Sequence, residues 1–166
     1  KGLLWLIESF KEAKYIYKNI ELYIAGSLDQ KNPTGISKNK LNNFLKIKGI
    51  RYFGNVKDVR ELWSKSNIAI LLSKREGLPL SLMEAAAVGR AIIATNVPGC
   101  REIAIHKYNS ITVEPGDIIS TRDAILELSK NKKVRRHYAE NSRKLVESDM
   151  SLVNICKQYY KLYNSL

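Results

Sequence analysis

Glu76 and Glu84 stand eight positions apart in the stretch REGLPLSLMEAAAVGRAIIAT, residues 75–95, with a glycine and a proline between them. The first falls in a loop directly after an apolar run, NIAILL at 67–72. The second falls inside a helical pattern opened by Pro79. Proline fits the first helical position, because the N–H it lacks has no partner there. The N–H groups of Leu80 and Ser81 then project from the positive end of the helix, an arrangement best suited to phosphate. Glu84 lies about one and a half turns further on and can reach back along that face. Gly77 allows close backbone approach or an unusual dihedral. A loop carboxylate, an anion cradle and a second carboxylate together suit a ligand that joins phosphate to polyhydroxyl groups, since carboxylates accept hydrogen bonds from sugar hydroxyls. The plainer reading is two exposed acids near a helix N-terminus, where acids are favoured in any case. The two glutamates taken alone do not exclude it.

The elements around this stretch decide where it lies. Leu3, Leu4, Leu6, Ile7 and Phe10 recur at helical spacing, which predicts a helix over 2–16. Strands are expected at 20–25, 50–53, 67–72, 90–95 and 110–113. Helices are expected near 38–47, at 56–65 and at 79–88, with a helical turn at 101–105. The polar segment SLDQKNPTGISKNK carries Gly and Pro and reads as a long loop. From Asp117 onward the pattern is helical, over 118–129, 132–148 and 151–164. Strands alternating with helices, the middle strands apolar on both faces, predict a doubly wound α/β domain with a parallel sheet. In such a sheet ligands bind beyond the carboxyl ends of the strands, and Glu76 falls in the loop over that edge.

Composition narrows the function classes. The chain has 166 residues, enough for one domain with a sizeable core. Its net charge of +12 suits anionic partners or a lysine-rich solvated surface. Cys100 and Cys156 lie far apart with no Cys/His cluster, which argues against a disulfide framework and a structural zinc. A cytoplasmic setting is the default. The longest apolar run is strand-sized, far short of the roughly 20 residues that span a bilayer. The chain opens on Lys1 rather than Met and reads as a fragment of a longer protein. The basic run KNKKVRRH at 130–137 reads as a solvated helical face. His106 and His137 read as surface histidines, and the two cysteines as packing. The stripe Leu152, Ile155, Cys156, Tyr159 and Tyr163 reads as core or domain contact.

The stretch from Glu76 to Glu102 resembles the E-x7-E region of the retaining glycosyltransferases of family 4, which have the GT-B fold. The likeness extends along the chain. Lys1-Gly2 with LIESF resembles the K-G…LIEAF segment of that family, and LYIAGSLDQKNPTGIS resembles a strand and loop of its capsule and lipopolysaccharide members. YFGNVKDVRELWSKSNIAILLS and NSITVEPGD resemble two further segments in the right order. The resemblance implies a single domain over 1–166, the C-terminal, Rossmann-like, donor-binding half of a GT-B enzyme, with the acceptor domain absent and the final helices at about 132–166. It implies that Glu76 contacts the donor sugar near the reacting carbon. It gives the backbone N–H groups of Leu78, Leu80 and Ser81 to the sugar and diphosphate, and Glu84 to the ribose. Lys1 matches the lysine that pairs with the diphosphate, Gly26 allows close approach at its strand end, and the nucleobase lies near 52–57. Glu102 falls in a region that closes the donor pocket in the family, and reads equally well as an acid at a helix start.

The chain also departs from the family. The family's Arg ahead of K-G is missing, and so is the first strand, which is central in the family between 22–25 and 68–72. A gap in the sheet with unpaired edges is therefore expected.

The reaction implied is transfer of a hexose from a nucleotide-diphosphate sugar to a saccharide or lipid-linked acceptor, with the anomeric configuration kept. UDP is favoured over GDP as the carrier, and surface polysaccharide biosynthesis is the setting. No Asp-x-Asp motif occurs, so neither a metal nor a cofactor is expected. The positive charge suits peripheral attachment at the cytoplasmic face of the inner membrane. Three alternatives stand beside this reading. One is a nucleotide-binding fragment that catalyses nothing, and another is a sugar-nucleotide epimerase of the same architecture. The third is a nucleic-acid module, which the scattered Tyr and Lys and the lack of a recognition motif oppose.

Overall fold

A computed structural model describes residues 2–28 and 35–165. Two parallel sheets carry the fold. β1 (Leu22–Ile24) pairs with β2 (Ile50–Tyr52), and β3 (Ile68–Leu71) pairs with β4 (Ala91–Thr95), which pairs with β5 (Ser110–Val113). Among the described residues no ladder joins β1 to β3. The break falls where the sequence expects a central strand to be missing.

β4 shows why the middle of the chain is so apolar. All five of its residues are buried, and successive side chains point to opposite faces. Ala91 and Ile93 pack into one apolar cluster with Val113, Ala124, Ile125 and Leu128. Ile92 and Ala94 pack into another with Leu82, Ala85, Cys100 and Ile103. A strand covered on both faces has no polar alternation to show. β3 is equally apolar in sequence but mostly only half-buried. Among the described residues it pairs on one side alone, with β4.

Helices α1 (Leu3–Ile16) and α6 (Ile118–Lys130) pack on each other, and α1 contributes Ala13 and α6 Leu128 to the first cluster. α4 (Leu80–Ala87) and the short α5 (Pro98–Arg101) cover the opposite face. α1 also bridges the break in the sheet. Its Ile7 and Phe10 pack with Leu22 and Ile50 of the two-stranded sheet, while its Ala13 packs with Ile93 of the other. Gly2 caps α1 with φ 67°, and a Cβ there would sit 2.0 Å from the Leu72 carbonyl oxygen. Only glycine lets the start of α1 press against the end of β3.

Side-chain caps set several helix starts. Asp58 opens α3 (Val59–Lys65), Ser37 opens α2 (Lys38–Leu45), and Asp117 opens α6. α7 (Lys132–Ser148) starts at Asn131, and α8 (Leu152–Tyr163) at Ser151.

Three sequence expectations shift. α3 begins at Val59 rather than at Val56, because Asp58 takes the cap. The helical turn expected at 101–105 lies earlier, at Pro98–Arg101, with Pro98 in its first turn. The stripe on α8 is not core, since no residue of that helix is buried.

Candidate functional site

The site grows from the carboxyl end of β3. Leu72 and Ser73 are still buried, and then the chain turns outward through the exposed Lys74 and Arg75. Glu76 is half-buried, and Gly77 and Leu78 are exposed. The Ser73 hydroxyl donates to Glu76 Oε1 at 2.5 Å, within the short range of a charge-assisted bond. Behind it, the Thr95 hydroxyl at the end of β4 donates to the Ser73 carbonyl at 2.6 Å, in the interior. Pairing of β3 with β4 thus brings their two ends into contact, and the glutamate hangs from that junction.

Pro79 is the N-cap rather than the first helical residue, with ψ 105° and no side-chain cap bond. Its carbonyl accepts from Leu82 and Met83 at 3.0 and 3.2 Å. Among the described residues, the amides of Leu78, Leu80 and Ser81 donate to no backbone carbonyl. They crown an open, solvent-facing helix end, with Leu80 70 % exposed. Leu82, Ala85 and Ala86 face the core, so Leu80, Ser81 and Glu84 share the outward face. Glu84 is therefore on the same stripe as the open amides. The structure brings together Glu76, Gly77, Leu78, Leu80, Ser81 and Glu84 as one continuous arc. Gly77 shows no positive φ, so the unusual dihedral allowed for it is absent, and a Cβ there would meet nothing within 4 Å. The space over the loop is open.

Gly26 stands apart from this arc, at the carboxyl end of β1 on the other sheet. Its φ is 133°, a Cβ there would meet nothing, and its N–H donates to the Gly54 carbonyl at 2.7 Å. The Tyr52 hydroxyl donates to the Gly26 carbonyl at 2.7 Å. Phe53, 44 % exposed, lies with its ring centroid 5.2 Å from that of Tyr23. Asp58 follows this aromatic edge. The Arg60 side chain and then its backbone N–H hold the Asp58 carboxyl down, to about 2. Lys1 lies outside the described residues.

Sequence reasoning missed Ser73 and Thr95 as parts of the site. The available signal was a hydroxyl at the end of each of two apolar strands, where no solvent explains it. It also missed the role of Gly99. A Cβ on Gly99 would lie 2.0 Å from the Gly77 carbonyl oxygen and 2.4 Å from that of Glu76. Glu102 is exposed and stands at the C-cap of α5. His106 and His137 are exposed and engaged with Thr112 and Asn141. Cys100 is buried in the core and Cys156 is exposed. Among the described residues no group of three or more His, Cys, Asp or Glu could hold a metal, and no helix is long and apolar enough to cross a membrane. A groove between α1 and α6, lined by Lys11, Glu12, Tyr15, Ile16 and Arg122, lies towards the far end of α1 from Gly2. Its arginine is already bonded to Glu12 and Asp123.

The chain is similar to known proteins in sequence and in fold. The chain is 27% identical over 158 residues to the N,N'-diacetylbacillosaminyl-diphospho-undecaprenol alpha-1,3-N-acetylgalactosaminyltransferase of Campylobacter jejuni, covering 95% of this chain and 40% of that protein. It is 27% identical over 165 residues to the capsular polysaccharide biosynthesis glycosyltransferase CapM of Staphylococcus aureus, covering 99% and 43%. The chain thus spans about two-fifths of the length of these relatives. In fold it is similar to Anabaena HepE in complex with UDP, with a TM-score of 0.88 at 16% identity over 100% of this chain and 46% of that one. The family model of glycosyl transferases group 1 matches residues 1–145. The match takes in both sheets, the Glu76–Glu84 arc and most of α7, and the chain belongs to the group 1 glycosyl transferases.

Proposed function

We propose that this chain is the donor-binding half of a retaining, family 4 glycosyltransferase that takes a UDP-sugar. The observation that carries the reading is the open amino end of α4 with Glu76 on one side and Glu84 on its outward face. The amides of Leu80 and Ser81 hold the diphosphate, with the helix dipole adding positive potential. Glu84 accepts from the ribose hydroxyls, and Glu76 with the Leu78 amide takes the donor sugar. The base lies by the Phe53 edge, near Gly26. Lys1 pairs with the diphosphate; the seating of Gly2 against Leu72 supports this by fixing the start of α1 at the end of β3.

The chemistry follows from charge. As the bond from the anomeric carbon to the diphosphate oxygen breaks, negative charge grows on the leaving group. Lys1 and the helix end stabilise it, which is electrostatic catalysis. Glu76 faces the sugar, where positive character develops. The acceptor hydroxyl attacks from the face the diphosphate leaves, so the configuration is kept. No metal or other cofactor takes part.

HepE in complex with UDP supports the choice of carrier, and the capsular and undecaprenol relatives support a saccharide or lipid-linked acceptor in surface polysaccharide assembly. The group 1 match favours transfer over epimerisation. Because the chain spans two-fifths of its relatives, the 166 residues by themselves are expected to bind donor without turnover. Turnover with any acceptor would overturn that part. The net charge of +12 supports peripheral attachment to an anionic inner-membrane face; failure to co-sediment with anionic vesicles at low salt would remove it.

Calorimetric titration with UDP and GDP tests the core of the proposal. UDP is expected to bind and GDP to bind less well. Binding of neither nucleotide would sink the donor-site reading.

A further inference from the structure

We propose that Ser73, Thr95 and Gly99 form a seat whose task is to position Glu76 against the donor sugar. The inference rests on the donor-site reading above.

Two independent features support it. The first is the relay of hydroxyls. Ser73 is 2 % exposed and Thr95 fully buried, so neither hydroxyl bonds to water in place of protein. Thr95 donates to the Ser73 carbonyl at 2.6 Å, and Ser73 donates to Glu76 Oε1 at 2.5 Å. The Thr95 bond fixes the backbone from which the Ser73 side chain springs. The Ser73 bond then fixes the rotation of the carboxylate. A glutamate otherwise has three rotatable side-chain torsions, and ordering them costs conformational entropy. Held in advance, Glu76 meets the sugar without that cost.

The second feature is steric. The first turn of α5 passes directly against the Glu76–Gly77 backbone, and only the missing Cβ of Gly99 allows it. The clash would be with two backbone carbonyls, at 2.0 and 2.4 Å, which cannot swing aside as a flexible side chain can. Gly99 is not there for its dihedral, because its φ is not positive. Its smallness therefore serves the approach. The loop is held by the Ser73 hydroxyl just past β3 and by the close approach of Gly99 in α5, which follows β4. A site so built keeps its geometry to fractions of an ångström, and a misplacement of about 1 Å is enough to lose about a hundredfold in rate.

The three residues bear on Glu76 and on the Glu76–Gly77 backbone. They are positioning residues acting through Glu76, so their loss should affect the sugar and spare the nucleotide.

The test compares binding of UDP with binding of UDP-glucose and UDP-N-acetylglucosamine to the wild-type chain, Ser73→Ala, Ser73→Thr, Thr95→Val and Gly99→Ala, with a thermal melt of each. The wild type is expected to bind one of the sugar conjugates more tightly than UDP. Ser73→Ala is expected to cut that advantage about tenfold while leaving UDP affinity unchanged, as loss of one hydrogen bond to a charged group implies. Ser73→Thr keeps the hydroxyl and should restore it. Thr95→Val should show a smaller loss of the same kind, and Gly99→Ala a larger one. If Gly99→Ala does not fold, the Ser73 pair decides. An undiminished sugar advantage in Ser73→Ala overturns the seat, and so does an equal loss of UDP and conjugate binding, which marks a purely structural role. A wild type that binds UDP with no advantage for either conjugate also overturns it, leaving the nucleotide site standing. Absence of UDP binding removes the donor site and the seat together.

Discussion

The segment from β3 to β4 and the helix α8 are both rich in apolar residues, and the structure treats them in opposite ways. β4 is buried in every residue, and α4 turns Leu82, Ala85 and Ala86 inward. In α8, Leu152 is 76 % and Tyr160 71 % exposed, while Asn154 hydrogen-bonds back to the Ser148 carbonyl at the end of α7. Both faces of α8 are largely exposed, and only Asn154 and Ile155 are half-buried. The family match ends at residue 145, before this helix begins. Apolar content by itself therefore does not say what is core. Position in the sheet does, because a strand between two neighbours and two helix layers has nowhere else to point. The rigid segment carries the site, since geometry held by packing on both faces is what a ligand-binding arc needs.

The contrast can be broken most directly at its strong end. Ile93→Ala in β4 removes a fully buried side chain. It should cost about 3 kcal/mol of stability, read from the midpoint of urea unfolding; a cost under about 1 kcal/mol would place β4 outside the cooperative core. Glu84→Ala sharpens the comparison within this segment, because the residue is exposed, packs into no core, and is proposed to bind the ribose. UDP affinity should fall about tenfold with the melting temperature unchanged. At the weak end, ending the chain before Leu152 should cost less than about 1 kcal/mol, as surface changes do. A larger loss would show that α8 is part of the packed body. The smallest effect lies outside both regions. The Asp58 carboxyl that caps α3 is held down from 3.8 to about 2. A lowered value means its stabilisation is present above pH 4 and is lost as the pH falls towards 2. The wild type should therefore lose slightly more stability over that range than Asp58→Asn, measured by denaturant titration at each pH.

Much of the fold was legible because its signals are local. NIAILL and RAIIAT read as strands, though only β4, from the second, is buried throughout, and the helices after Asp117 read from their periodicity to within a residue or so at most ends. The break between β1 and β3 was legible only through the family resemblance. The shifts came where a side chain competes with the backbone pattern. Asp58 moved the start of α3, and Pro98 opened a turn before the place expected for it. The α8 stripe misled because periodicity reports a face but not what the face meets.

For the site, the spacing of Glu76, Pro79 and Glu84 on one strand-to-helix connection is a property of the chain itself. A strand ending in a loop and a proline-led helix puts the carboxylates on either side of an open helix end wherever that helix packs. The relay from Thr95 through Ser73 to Glu76, and the closeness of Gly99 to Gly77, belong to the tertiary structure. They join residues about twenty positions apart, whose meeting depends on the parallel pairing of β3 with β4. Sequence alone determined that two carboxylates flank an open helix end; only the register of two neighbouring strands decided which residues pack behind them.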